Sequence, residues 1–426
     1  MISILSVLFI LGYVLIAFEH KININKAAIA LISGVLLWSI CIYYSTNSNE
    51  TLLVFNEKFS SIAGILFFLL GAMTIVELVD AHQGFDVITA FITTTNKRKL
   101  LWSVGLITFF LSSVLDNLTS TIVIISLLRK LIENAQDRKY FVGLTIIAAN
   151  AGGAFSPIGD VTTTMLWIDG QISSWNIISH LFLPSLTCML VPTLALSYQL
   201  KGTVECSTHK TKNNEKPIVK WEQNVLFIIG TGALLFVPIF KTITHLPPFM
   251  GILFGLSIVW IATELMHRNK IEIDKEELSV MSALRKIDTT SILFFLGILM
   301  SVACLETTHI LAMLSTFLNT HIGNQTIILT IIGLLSAVID NVPLVAAAQG
   351  MYTLVEYPQN HFIWTYLAYT AGTGGSCLII GSAAGVAAMG MEKINFMWYA
   401  KRIAPFALIG YFAGCLVYIL LINYVF

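Results

Sequence analysis

The sequence predicts an all-α polytopic membrane protein: an inverted-topology repeat of about ten transmembrane helices plus two re-entrant helical hairpins with broken helices. Three observations carry this. Of the 426 residues, 56% are hydrophobic and 11% charged, with a mean hydropathy of +0.81, which excludes a soluble domain or a disordered chain. Apolar runs of membrane-spanning length recur from end to end. Finally, an Asp-Asn pair set in apolar sequence, Ser112–Thr121, recurs as a near-copy at Ser336–Val345.

The apolar segments are 1–18, 27–44, 59–79, 100–128, 140–168, 178–200, 223–240, 248–266, 288–303, 324–355, 362–391 and 403–424. The first lacks a basic flank and a small-residue cleavage site, so it reads as a retained helix rather than a signal peptide. Segment 100–128 would be about 43 Å long as one straight helix, against a hydrocarbon core of about 30 Å. Segment 324–355 has the same excess, and 140–168 and 362–391 are interrupted by glycines. Folding 100–128 and 324–355 back on themselves places all but Lys58 and Lys241 of the 24 Lys and Arg on one side, which the positive-inside rule makes cytoplasmic. Treating either as one span destroys that bias. Two short full spans would give the same parity. The central Asp-Asn favours a hairpin, because non-helical backbone at membrane depth needs polar neighbours or a wet cavity. Both termini then lie outside.

The first hairpin is entered from the cytoplasm and the second from outside, the arrangement of an inverted repeat. Other pieces recur in step: Leu66–Leu69 with Leu293–Leu296, Glu77 with Glu306, and Gly152, Gly153 and Gly159 with Gly374, Gly375 and Gly381. The chain therefore divides into a first half, 1–200 (hairpin 100–128, broken helix 140–168), a Lys-rich cytoplasmic linker, 201–222, and a second half, 223–426 (hairpin 324–355, broken helix 362–391). A second charged loop, 267–287, is a solvated connector. The six cysteines show no disulfide or metal spacing and read as packing residues. Trp38, Tyr43, Tyr44, Trp102, Trp167, Trp175, Trp398 and Tyr399 near span ends fit an aromatic belt. A net charge of zero gives no reason to expect a nucleic-acid partner.

Asp116 and Asp340 are the first candidates for chemistry. An ionised side chain in hydrocarbon costs about 3 kcal/mol or more, so an intramembrane acid is a functional hypothesis by default. No Lys or Arg lies in any central apolar run, so no ion-pair partner is expected for either. A carboxylate that holds a proton or a hard cation such as Na⁺ or Li⁺, but not both, is the minimum an antiporter needs. Asn117 and Asn341 add carbonyl oxygens, Thr119 and Thr121 hydroxyls, and Ser336 opens the second copy. Pro343 breaks its helix and frees carbonyls. The second constellation, Ala149–Thr164, contains Asn150, a third carboxylate in Asp160, and Thr162 and Thr163. Its glycines and Pro157 predict an unwound helix. The copy at Thr370–Ser382 keeps the glycines but has Ser382 in place of Asp160, with Ser376 as a weaker donor. The halves are thus alike in shape and unequal in charge. Glu77, Asp80 and His82, at the cytoplasmic end of the third span, form a possible pH-sensing cluster.

Gly71–Phe85, Ser112–Thr121, Asn150–Trp167 and Ser336–Asn341 together resemble the NhaD-type Na⁺/H⁺ antiporters of the ion transporter superfamily. The resemblance implies Na⁺ export, often with Li⁺, against protons in a bacterial cytoplasmic (inner) membrane, serving pH homeostasis at alkaline pH. It implies no cofactor beyond the transported ions, partners limited to the lipid bilayer and small inorganic cations, and a homodimer whose transport domain moves against a scaffold. The hairpins and broken helices belong to the moving part. The transported Na⁺ is expected on Asp116 and Asp340.

The runner-up is a Na⁺-coupled dicarboxylate or citrate carrier, or an arsenite-type carrier, of the same fold. Such carriers tend to place neutral donors at the hairpin tips, and Asp there would repel an anion. An intramembrane aspartyl protease lacks its Gly-x-Gly-Asp signature here, and no hydrolase motif appears, so an enzyme is not expected. The inverted repeat disfavours a passive channel.

Overall fold

The computed structural model describes the chain except for residues 18, 86–93, 205–218, 269–277 and 425–426. Most of the 201–222 linker, part of the 267–287 loop and Cys206 therefore lie outside the described residues. The described helices are α1 (Ile2–Ala17), α2 (Glu19–Ile22), α3 (Lys26–Tyr43), α4 (Ser48–Ala81), α5 (Lys97–Ser112), α6 (Asn117–Leu131), α7 (Ala135–Ala154), α8 (Val161–Ile168), α9 (Ser174–Gln199), α10 (Lys220–Thr244), α11 (Pro248–His267), α12 (Val280–Lys286), α13 (Thr289–Thr307), α14 (Ile310–His321), α15 (Gln325–Leu335), α16 (Asn341–Met351), α17 (Phe362–Gly374), α18 (Ala383–Glu392), α19 (Phe396–Arg402) and α20 (Ala404–Tyr424). Among the described residues there is no strand, only one isolated bridge, Asn96 to Thr203. Seven helices (α3, α4, α9, α10, α11, α13 and α20) are long and apolar enough to cross a bilayer. The protein is an all-α polytopic membrane protein.

The helix starts follow from the sequence. Asn25, Asn96, Asn134, Asn324 and Asn395 each turn a side-chain oxygen onto a first-turn amide, which satisfies a donor the helix cannot. The breaks fall inside the four long segments. Residues 113–116 separate α5 from α6, and 336–340 separate α15 from α16. At 11 residues each, α15 and α16 span about 16 Å, half the hydrocarbon thickness. Pro157, with no amide hydrogen and a bias against helix at Ser156, lies in the break between α7 and α8. The break between α17 and α18 has no proline.

The broken helices form the centre. Residues 141–154 of α7 and 363–374 of α17 are all buried. α5 packs on α7 and α15 on α17, while α7 and α17 also touch each other. The two halves use matched contacts. Ser112 Oγ donates to the Ala149 carbonyl at 2.6 Å, and Ser336 Oγ donates to the Ala371 carbonyl at 2.8 Å. A Cβ on Gly152 would run into the backbone oxygen of Phe109, and one on Gly374 into that of Gly333. Only glycine permits these approaches. Around this centre, α3 packs on α13, α11 on α4, and α9 on α20.

Polar contacts collect at the two ends. One end holds Lys97–Asp137 (2.6 Å) and the buried Glu392, which pairs with Arg129 (2.6 Å) and Arg138 (2.8 Å). The other holds Lys58–Glu306 (2.6 Å) and Gln349–Asp169 (3.1 Å).

Several expectations are corrected. Helix α4 begins at Ser48 rather than 59, because Asn47 caps it and its first turns continue beyond the apolar core. Three short helices, α12, α14 and α19, occupy stretches read as connectors; they are too short or too polar to show as apolar runs. Trp38, Trp167 and Tyr399 are not belt residues. All three are buried; the Trp38 indole donates to the Met300 carbonyl and the Tyr399 hydroxyl to that of Ser376. Trp175, by contrast, is exposed, as are Tyr43 and Tyr44. The five described cysteines are buried and free.

Candidate ion-binding site

Asp160 is the hub. It ends the break before α8, where its Oδ1 accepts the Thr162 amide at 3.0 Å as an N-cap. The residue is 2% exposed. Both hairpin tips reach it. Asn117 Nδ2, from the start of α6, donates to Asp160 Oδ2 at 2.9 Å. Asn341 Nδ2, from the start of α16, donates to Oδ2 at 3.2 Å, with Oδ1 at 3.4 Å. Asn117 Nδ2 also lies 3.0 Å from Asn150 Oδ1 on α7. The Asn150 amide in turn donates to Ser382 Oγ at 3.0 Å. Ser382 caps α18 through the Gly385 amide and occupies the place in the second half that Asp160 holds in the first. One carboxylate thus sits among amides from α6, α7 and α16, and the network continues to α18.

Asp116 and Asp340 stand beside this hub rather than in it. Asp116 caps α6: its Oδ1 accepts the Thr119 amide and its Oδ2 the Thr119 hydroxyl, each at 2.7 Å. It lines a small cavity of about 70 Å³ together with Asn117, Asp160 and Thr164. Asp340 makes no such cap. Contrary to the expectation of no partner, its Oδ2 accepts from Lys26 Nζ at 3.3 Å. The first residue of α3 lies at the hairpin tip; sequence placed Lys26 in a loop and could not show that the loop reaches so far. A larger cavity of about 490 Å³ runs from Glu19, Asn25 and Lys26 to Asp340 and Ser382, and shares the walls Leu118, Ser291 and Ala383 with the smaller one.

Of the hydroxyls, Thr163 donates to the Asp160 backbone carbonyl, Ser376 to that of Thr373 and Ser336 to that of Ala371. These bonds hold the breaks. Thr121 and Ser120 are fully buried, and their hydroxyls have no partner among the described residues. Of Glu77, Asp80 and His82, the first two are close enough to interact electrostatically. Glu77 lies 3.9 Å from Lys286, and Asp80 is exposed. His82 is buried against His267, with Nε2 atoms 3.2 Å apart and rings 4.9 Å apart at 10°. His82 Nδ1 lies 2.6 Å from the Leu78 carbonyl. A carbonyl only accepts, so Nδ1 carries the hydrogen, and neutral His82 receives the His267 N–H on Nε2. Sequence reasoning missed Lys26, Ser382 as a partner of Asn150, and His267; only Ser382 had a signal, its alignment with Asp160.

The family model described as "Citrate transporter" matches residues 13–368. The chain is 47% identical to sodium/proton antiporter 2 of Arabidopsis thaliana, over 99% of this chain and all of that one. It is 48% identical to sodium/proton antiporter 1 of the same plant, over 98% of this chain and 72% of that one. The Na⁺/H⁺ antiporter NhaD of Vibrio cholerae is 30% identical, over 97% of this chain and 90% of its own. The chain belongs to the NhaD-type Na⁺/H⁺ antiporters, within the wider citrate-transporter family.

Proposed function

We propose that this secondary transporter exchanges Na⁺, and also Li⁺, for H⁺ by alternating access, with Asp160 as the carboxylate that carries one or the other. The observation that carries this reading is the convergence of Asn117 and Asn341, one from each hairpin tip, on that single buried carboxylate. Burial disfavours a bare carboxylate, so the group is neutralised by a proton or by a cation. Each Asn can serve both states. Its amide N–H supports the carboxylate, and a half-turn of the side chain presents its oxygen to a hard cation. Asn150, Thr162 and Asp116 provide further oxygens nearby.

The matched contacts of the two halves, 1–200 and 223–426, support an inverted repeat around this point. In that frame the larger cavity, whose lining includes Glu19, Asn25 and Lys26, lies toward the side rich in Lys and Arg, which supports a cytoplasm-facing state. Hairpins and broken helices move together past α3, α4, α11 and α13, in a homodimer. The location we assign is a bacterial cytoplasmic membrane, for Na⁺ extrusion and pH homeostasis.

A citrate or dicarboxylate carrier is favoured only by the family's description. An anion at the hub would face Asp160, and the larger cavity presents Glu19, Asp288 and Asp340 against Lys26. The test is dequenching of a pH dye in everted vesicles on adding Na⁺, Li⁺, K⁺, citrate or succinate. Responses to Na⁺ and Li⁺ are expected; a response to citrate or succinate alone would overturn the reading.

A further inference from the structure

Asp340 meets a cation that belongs to the chain itself. Lys26 Nζ lies 3.3 Å from Asp340 Oδ2, and the same ammonium stands 4.4 Å from the centre of the Phe294 ring. Both side chains are partly buried, 28% exposed for Lys26 and 17% for Asp340, and both line the larger cavity. The other two carboxylates of that cavity have work of their own. Asp288 caps α13 through the Ser291 amide at 3.1 Å, and Glu19 accepts the Lys26 backbone amide at 3.1 Å. Asp116, the counterpart of Asp340, is turned onto its own helix. Asp340 alone of the tip acids is turned outward to a mobile monovalent cation.

We propose that the Lys26 ammonium is the resident counter-ion of Asp340, seated on it when no Na⁺ is bound and drawn off it, still against Phe294, when Na⁺ loads. This rests on the cation-exchange reading above and adds the residue that sets apparent Na⁺ affinity. Asp160 feels the Asp340 charge, so the Lys26 ammonium and a Na⁺ on Asp160 compete for that charge. A carboxylate in the membrane without any cation is costly; a tethered ammonium keeps Asp340 balanced while Asp160 carries the proton back. Phe294, already 4.4 Å from the ammonium, keeps hold of it as the contact with Asp340 loosens, since an aromatic face attracts it. A lysine suits this role because its charge is compact and its stem flexible.

The experiment follows Na⁺ titration of detergent-purified full-length protein by thermal unfolding. It compares wild type with Lys26→Met, Lys26→Gln, Lys26→Arg, Asp340→Asn and the Lys26→Met/Asp340→Asn double variant. Removing the competitor lowers half-saturating Na⁺ about fivefold in both neutral variants, and Lys26→Arg restores a value near wild type. In the Asp340→Asn background the Lys26→Met change vanishes, as a direct pair requires. In everted vesicles Lys26→Met lowers KM for Na⁺ and the maximal rate together, because the proton-loaded return stroke now carries Asp340 without its counter-ion. Neutral variants within about twofold of wild type, or an equal change in the Asp340→Asn background, would overturn the proposal while leaving cation exchange intact. A wild-type protein with no Na⁺ response would overturn both.

Discussion

Asn117 and Asn341 both donate to Asp160, but the structure makes them unequal, and that inequality can be measured. Asn117 Nδ2 is 2.9 Å from the carboxylate and 3.0 Å from Asn150 Oδ1. Asn341 Nδ2 reaches the carboxylate at 3.2 and 3.4 Å and touches nothing else of the hub. A hydrogen bond to a charged group contributes about 1.5–3 kcal/mol, and a buried neutral acceptor left without its donor costs about 1–3 kcal/mol. Asn117→Ala loses the first and incurs the second, about 2.5–6 kcal/mol in all. Asn341→Ala removes one longer bond, about 1.5 kcal/mol. Both changes weaken the support of the ionised carboxylate that Na⁺ needs. At about 1.4 kcal/mol per factor of ten, half-saturating Na⁺ rises roughly 10-fold in Asn341→Ala and 100-fold or more in Asn117→Ala. The assay is Na⁺-driven dequenching in everted vesicles at fixed pH, with expression matched between variants. Equal effects, or a larger effect at Asn341, would refute the reasoning that Asp160 is the hub and Asn117 its main support.

Gly374→Ala drives a Cβ into the backbone oxygen of Gly333. A backbone atom cannot turn aside, so α15 and α17 separate; the cost is about 3 kcal/mol, read as a lower Tm. Gly390→Ala, where nothing lies within 4 Å of the new atom, is the control and leaves Tm unchanged or raised. At His361, in the loop before α17, burial pushes the imidazole below its usual 6.5. The unfolded chain therefore binds more protons, and the stability present above that value is lost as pH falls through the folded value. Tm of wild type drops between about pH 7 and 5, and drops less in His361→Asn, which keeps a cap for the Ile363 amide.

Much of this architecture is legible in the sequence because a bilayer simplifies the problem. Length alone shows that 100–128 and 324–355 cannot be single spans, and the structure breaks them at 113–116 and 336–340. Pro157 and the glycines mark the breaks of the two central helices. The short helices α12, α14 and α19 escape because neither length nor hydropathy distinguishes a half-exposed helix from a connector. At the site, the residue types were readable and their ranking was not. Asp116, Asp160 and Asp340 are equivalent as letters. What separates them is tertiary: Asp160 gathers amides from both halves, Asp116 turns onto its own helix, and Asp340 meets Lys26 from the far end of the chain. The His82–His267 contact, between α4 and α11, is likewise beyond any local pattern.

The central claim is that one carboxylate holds either a proton or Na⁺. It is tested most directly by adding Na⁺ to purified protein in weakly buffered solution and recording proton release with a pH indicator, for wild type and for Asp160→Asn. The account predicts saturable release from wild type, again with Li⁺ but not K⁺, and none from Asp160→Asn. Undiminished release from Asp160→Asn would contradict it.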